Sequence, residues 1–163
     1  MGLEIWQGGF LLCWQVGGGI NGKMAERAVI DASVWVKAPK CRPHRELAIC
    51  VRNGLVAAVF SLRTLSEAEN AVVKKLRGGE QAWVLNILLE ADVVVPVGLD
   101  EQVWGIMEGK KDEDLNLLAV AKAEDVPVVT DDWSDLLSVA GPLKDYCQIE
   151  VTSVRKFYQR IRN

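Results

Sequence analysis

The stretch Ala28-Val-Ile-Asp-Ala-Ser-Val34 decides the fold. It is a short apolar run interrupted only near its end, the pattern of a strand buried on both faces. An aspartate inside such a run is anomalous, because an isolated carboxylate is costly to bury. Asp31 therefore needs a cation or a proton. The competing explanation is a carboxylate that accepts backbone amides at a strand end.

Outward from this strand, the pattern alternates. A basic, proline-containing loop follows, Lys37-Ala-Pro-Lys40-Cys-Arg42-Pro-His44-Arg45. His44 to Arg52 reads as a helix, Asn53-Gly54 as a turn and Leu55 to Phe60 as a second strand. Thr64-Leu-Ser-Glu67 has the S/T-x-x-E form of a capping box, opening a helix that runs to Leu76 and is closed by Gly78-Gly79. A helix over Ala82 to Ala91, a strand over Val93 to Val97 and a short helix over Asp100 to Glu108 come next. Asp112 to Glu124 is a longer helix with Leu117, Leu118 and Ala121 on one face. Val126 to Thr130 is a strand, with Asp131 and Asp132 directly behind it. Ser134 to Ala140 reads as helical, Gln148 to Val154 as a last strand, and the basic tail as a helix.

Apolar strands alternating with helices predict an α/β protein: three layers, α/β/α, around a central mainly parallel sheet. Ligands of such sheets bind beyond the carboxyl ends of the strands. Residues 1–23 differ from the rest, being rich in Gly and Trp with a Gly17-Gly18-Gly19 run. They read as an N-terminal extension without evident chemistry, ahead of a domain over 24–163.

Half the residues are apolar and a quarter charged, ordinary for a soluble globular chain. No apolar run reaches the roughly 18–20 residues of a membrane span. Phe10 to Val16 is short, contains Gln15 and lacks a preceding basic stretch, so neither an anchor nor a signal peptide is expected. The net charge of −3 argues against a generic polyanion binder, but the Lys37–Arg45 patch can hold nucleic acid locally. The four cysteines form no CxxC pair and His44 is the single histidine, which argues against structural zinc. Reduced thiols in a cytoplasmic protein are the expectation. His44 reads as a surface residue.

The acids concentrate where the strand-end rule directs attention. Asp31 and Asp132 stand at the carboxyl ends of expected parallel strands. Asp114 lies in the first turn of its helix, on the apolar stripe that faces the sheet; helix capping by Asp112, Glu113 or Asp114 is the alternative use. Glu67 has the capping box as its alternative, and Glu69 competes with it on the same helix. Asp131 and Asp132 are adjacent and cannot both enter one site from an extended backbone. Asp135, one turn later, can join Asp132. Carboxylates gathered at one point repel unless a cation neutralises them. With no Cys or His among them, the all-oxygen set suits Mg2+ or Mn2+.

Four stretches, in order, resemble the PIN-domain family of VapC-type toxin ribonucleases. Val29-Ile-Asp31-Ala-Ser33-Val34 resembles the opening strand. Leu65-Ser-Glu67-Ala-Glu-Asn70 resembles the helix with the family's glutamate. Asp114-Leu-Asn-Leu-Leu-Ala119-Val-Ala121 resembles the helix that begins on an aspartate, although Leu115 replaces the usual residue after it. Val128-Val-Thr130-Asp131-Asp132 resembles the closing strand end. The segment between Val97 and Asp114 is short for the family. The resemblance covers about residues 24–154. It implies Glu67 over Glu69, Asp132 over Asp131, and Ser33 and Thr130 as orienting partners of the carboxylates.

It also implies the activity: metal-dependent hydrolysis of RNA phosphodiester bonds by Asp31, Glu67, Asp114 and Asp132. The flanking RNA backbone would be gripped by Lys37, Lys40, Arg42 and Arg45. An antitoxin protein and a second copy of the chain are the implied partners, and no membrane is. The alternative is a catalytically inactive PIN-fold module that binds RNA or protein. A phosphoacceptor receiver domain also gathers acids at strand ends, but it needs two at the first strand, where this chain offers Asp31 alone.

Overall fold

The computed structural model describes residues 25–163; the expected extension over 1–23 lies outside them. The described residues form five strands in one sheet: β1 (Glu26–Ile30), β2 (Val56–Phe60), β3 (Asp92–Val93), β4 (Val128–Val129) and β5 (Val151–Thr152). The order is β3-β2-β1-β4-β5 and every pairing is parallel. The connection reverses direction between β1 and β4, which opens a crevice at their carboxyl ends.

Helices α1 (Ala32–Lys37), α2 (Arg42–Arg52), α3 (Leu62–Lys75) and α4 (Gly78–Leu88) lie between β1 and β3. Helices α5 (Glu101–Ile106) and α6 (Asp112–Glu124) precede β4. Helix α7 (Ala140–Cys147) precedes β5, and α8 (Val154–Arg162) ends the fold. Alternate strand residues enter two separate cores. Ala28, Ile30, Ala58, Phe60 and Val129 pack with α1–α4 and α8. Val29, Val59, Val128 and Val151 pack with α5–α7. The three-layer α/β/α expectation is therefore met, with an all-parallel sheet.

Several local expectations are corrected. β1 stops at Ile30; Ala32 onward is helix, and Val34 and Trp35 are buried on α1. Asp31 thus caps a helix directly after its strand. The helix bearing Glu67 opens at Leu62, with Ser61 as N-cap and a capping box closed by Thr64. Ser61 Oγ accepts from Thr64 N at 3.1 Å, and Thr64 Oγ1 accepts from Ser61 N at 2.9 Å. Glu67 stands outside this arrangement. Gly78 and Gly79 start α4, where Gly78 has φ +56°. The strand expected over Val93 to Val97 shortens to Asp92–Val93 at the sheet edge. Of the helix expected at Ser134 to Ala140, Leu137–Val139 forms a 3-10 turn and Ala140 begins α7.

His44 is buried, contrary to the surface expectation. Its Nε2 lies 2.5 Å from Asp131 Oδ2. Among the described residues, Cys41, Cys50 and Cys147 form no disulfide with one another. Among the described residues no helix is long and apolar enough to cross a membrane. Trp104 and Trp133 are exposed.

Candidate active site

A cavity of about 380 Å3 opens at the carboxyl ends of β1 and β4, and Asp31, Glu67, Asp114 and Asp132 all line it. Each arrives by a different route. Asp31 follows β1 and Asp132 follows β4, whose neighbouring pairs are Val29 with Val128 and Ile30 with Val129. Glu67 descends from α3 in one helical layer and Asp114 from the first turn of α6 in the other. The sheet's switch point and both helix layers thus meet at one place.

Asp31 is held by hydroxyls. Ser33 Oγ donates to Asp31 Oδ2 at 2.7 Å and Thr130 Oγ1 donates to the same oxygen at 2.8 Å. Asp31 Oδ1 accepts only a long bond, 3.4 Å, from Ser33 N. The capping role is therefore real but weak, and Oδ1 keeps capacity for another partner. Ser33 and Thr130, the two expected orienting residues, both act on Asp31.

Asp132 and Asp131 diverge. Asp132 Oδ1 accepts from Ser134 N (3.0 Å), Ser134 Oγ (2.7 Å) and Asp135 N (3.0 Å), which folds the turn behind β4. These bonds, the Ser134 hydroxyl foremost, hold its carboxyl below the usual range. Asp131 instead accepts from Val154 N at 3.3 Å and faces His44. It belongs to the packing of α8 and α2. Asp135 reaches the cluster through Lys111, whose Nζ lies 2.8 Å from Asp135 Oδ2 and 3.8 Å from Asp132 Oδ2.

Asp114 is the exceptional acid. Its side chain is 6% exposed, and its Oδ2 is buried without a hydrogen-bond partner. Burial, followed by the charges of Asp135, Asp31 and Asp132, raises its pKa to about 6. Glu67 is raised too, chiefly by burial. Its Oε1 accepts from Asn116 Nδ2 at 3.1 Å and Arg63 Nε at 3.2 Å. Glu69 does not line the cavity.

The donor set fits a hard divalent cation. It is all oxygen, and it contains a buried carboxylate oxygen that lacks any compensating donor. Asp114 Oδ2, Asp31 Oδ1 and Asp132 Oδ2 are the atoms with capacity to spare. Among the described residues, no three acids stand close enough to enclose an ion as placed. Asp31 leans on its hydroxyls and Lys111 draws Asp132 and Asp135, so closure needs side-chain adjustment.

The structure does not bring the expected RNA-binding residues to this cavity. Lys37, Lys40, Arg42 and Arg45 are exposed on α1, α2 and their connection, outside its walls. Arg42 pairs with Glu46 at 2.9 Å, and Arg45 donates to the Pro39 carbonyl. Lys74, Lys75 and Lys111 line the cavity instead. They and Asn116 were missed, although Lys74 follows Glu67 by seven residues, the spacing that returns a helix to the same face.

A parallel α/β sheet with acids gathered at its switch point defines a candidate metal-dependent hydrolase. A family model, PIN domain, matches residues 28–141, and the chain belongs to the PIN-domain family. The members of that family are generally nucleases and typically bind divalent metals. The crystal structure of PAE2754 from Pyrobaculum aerophilum has the same fold, with a TM-score of 0.53 and 21% identity. The match covers 85% of this chain and 98% of that one. No curated protein matches.

Proposed function

We propose that this protein is a Mg2+- or Mn2+-dependent endoribonuclease. The observation that carries the reading is the partnerless, nearly buried carboxylate oxygen of Asp114, facing a cavity shared with Asp31, Glu67 and Asp132. Such an arrangement is costly unless a cation relieves it.

Asp31, Asp114 and Asp132 would hold the ion, with Glu67 completing the set from α3. A divalent ion supplies a Lewis acid for a phosphate oxygen and makes a bound water more acidic. The chain's own residues do the rest. Thr130 and Ser33 fix the Asp31 carboxylate. The Ser134 and Asp135 amides fix Asp132. Asn116 and Arg63 hold one oxygen of Glu67, which leaves the other for the ion. Burial of Asp114 excludes water that would screen the charges.

A second reading, a PIN-fold module that binds RNA without cutting it, is favoured by one observation: Lys111 already neutralises Asp135 and approaches Asp132. One experiment separates the two. Purified protein is incubated with a panel of single-stranded RNAs in Mn2+ or EDTA. The nuclease reading expects Mn2+-dependent cleavage that Asp31→Asn and Asp114→Asn both abolish; cleavage unaffected by either change rejects it. The toxin role is a finer proposal still. It expects growth arrest on expression in the cytoplasm, relieved by the product of an adjacent antitoxin gene. Pairing of two copies of the chain, with Trp104 or Trp133 at the contact, is likewise proposed, and the mass in solution tests it.

A further inference from the structure

The walls of the cavity are not uniform in charge. Five carboxylates line it, those of Asp31, Glu67, Glu113, Asp114 and Asp132, against three ammonium groups, those of Lys74, Lys75 and Lys111. The acids named as metal-holding come off strand ends and the inner parts of α3 and α6. Two of the three lysines sit together at the far end of α3. Asn70 and Ala71 lie three and four residues after Glu67, Lys74 lies three after Ala71, and all four line the cavity. One helix face therefore grades from a half-buried acid through an amide to an exposed cation.

The three lysines also differ in commitment. Lys111 is paired with Asp135 and lies near Asp132. Among the described residues, Lys74 and Lys75 have no ion-pair partner. They are exposed cations at the rim of an acid-floored cavity, held in no ion pair among the described residues. A phosphodiester chain crossing the floor would place flanking phosphates where such cations are needed. Without them the acidic walls would repel the chain on either side of the reacting phosphate. The alternative basic patch offers less: Arg42 and Arg45 are already engaged, and none of its four cations lines the cavity.

We propose that Lys74 and Lys75, at the carboxyl end of α3, form the subsite that grips the RNA backbone beside the scissile phosphate. The inference rests on the reading of the cavity as a phosphodiester site, and it deepens that reading by assigning the substrate's path: along α3, away from the α1–α2 connection. Lys74 and Lys75 are positioning residues that hold the flanking strand.

The test is the salt dependence of binding. A short fluorescein-labelled single-stranded RNA is titrated, over a series of KCl concentrations, with protein carrying Asp114→Asn to prevent cleavage. Each phosphate contact to a single strand contributes about 0.7 to the slope of log affinity against log salt. The Lys74→Ala/Lys75→Ala double variant is expected to bind about tenfold more weakly at low salt, with a slope shallower by about 1.4. Lys37→Ala/Lys40→Ala is expected to keep the parent slope. Mn2+ binding, measured by calorimetry with Asp114 intact, is expected to be the same with and without the α3 substitutions. An unchanged slope in the α3 double variant overturns the inference, whatever the second variant does. Cleavage by the unsubstituted protein is scored separately. Its absence would remove the catalytic reading, while the slopes would still decide the backbone subsite.

Discussion

Thr130 Oγ1 donates to Asp31 Oδ2 at 2.8 Å and accepts from the Asp132 backbone N–H at 3.0 Å. One fully buried hydroxyl therefore ties the acid after β1 to the acid after β4. The contact spans 99 residues of sequence and crosses the switch point of the sheet. It sets the spacing of two carboxylates without using a metal.

Removing that hydroxyl tests its role. Thr130→Val keeps the shape but leaves the Asp132 amide without its acceptor and Asp31 with Ser33 as its single hydroxyl donor. The expected cost is about 1–2 kcal/mol in urea unfolding. Cleavage is expected to fall roughly 10- to 100-fold, the usual penalty for losing an outer partner of a metal-holding group. Ser33→Ala should do less, because the Thr130 bond survives. Equal activity in Thr130→Val and the parent would contradict this role.

Asp114 makes an opposite prediction about stability. Its folded pKa of about 6 lies above the ordinary 3.8. Between these values the native state keeps a proton that the unfolded chain releases. Metal-free stability therefore falls as pH rises through this window, and the whole penalty stands above about pH 6. The shift corresponds to about 3 kcal/mol, which partial screening by solvent reduces to on the order of 2 kcal/mol. Asp114→Asn should accordingly raise the Tm of the metal-free protein by several degrees at pH 7.5, and the gain should vanish near pH 4. A lower Tm at pH 7.5 would contradict it.

Glu67 and Ser61 separate capping from ligation. Because Ser61 and Thr64 close the capping box, Ser61→Ala should cost about 1 kcal/mol. Glu67→Gln should change stability by less than about 0.5 kcal/mol. It should nonetheless lower cleavage at least about tenfold, as loss of one metal-holding group does. A large loss of stability in Glu67→Gln would return that residue to a structural role.

The pattern of legibility follows from physics. Helix α6 was expected at the bounds it has, because acids in its first turn and an apolar stripe behind them act together. The sheet was legible because its strands are apolar on both faces. Helix α1 was not: Val34 and Val36 favour a strand, and only the cap at Asp31 and the packing of Val34 and Trp35 override them. The start of α3 was misplaced because a Ser61–Thr64 box lacks the glutamate that marks such boxes in sequence. The carboxylates were legible as anomalies in apolar surroundings. The lysines were not, since a surface cation is ordinary until the fold shows what it faces. Lys37 and Lys40 stand close to Asp31 in sequence, yet α1 carries the chain away from the cavity.

Whether these acids gather a divalent cation is read by Mn2+ titration followed by electron paramagnetic resonance. Free Mn2+ loses its signal on binding, so the readout needs no substrate. The unsubstituted protein is expected to bind Mn2+ saturably at pH 7.5, more weakly as pH falls below about 6, where Asp114 takes up its proton. Asp114→Asn should weaken it at least tenfold and Glu69→Gln should leave it unchanged. Binding that is absent, or equally strong in Asp114→Asn, would mean that these acids do not form a metal site.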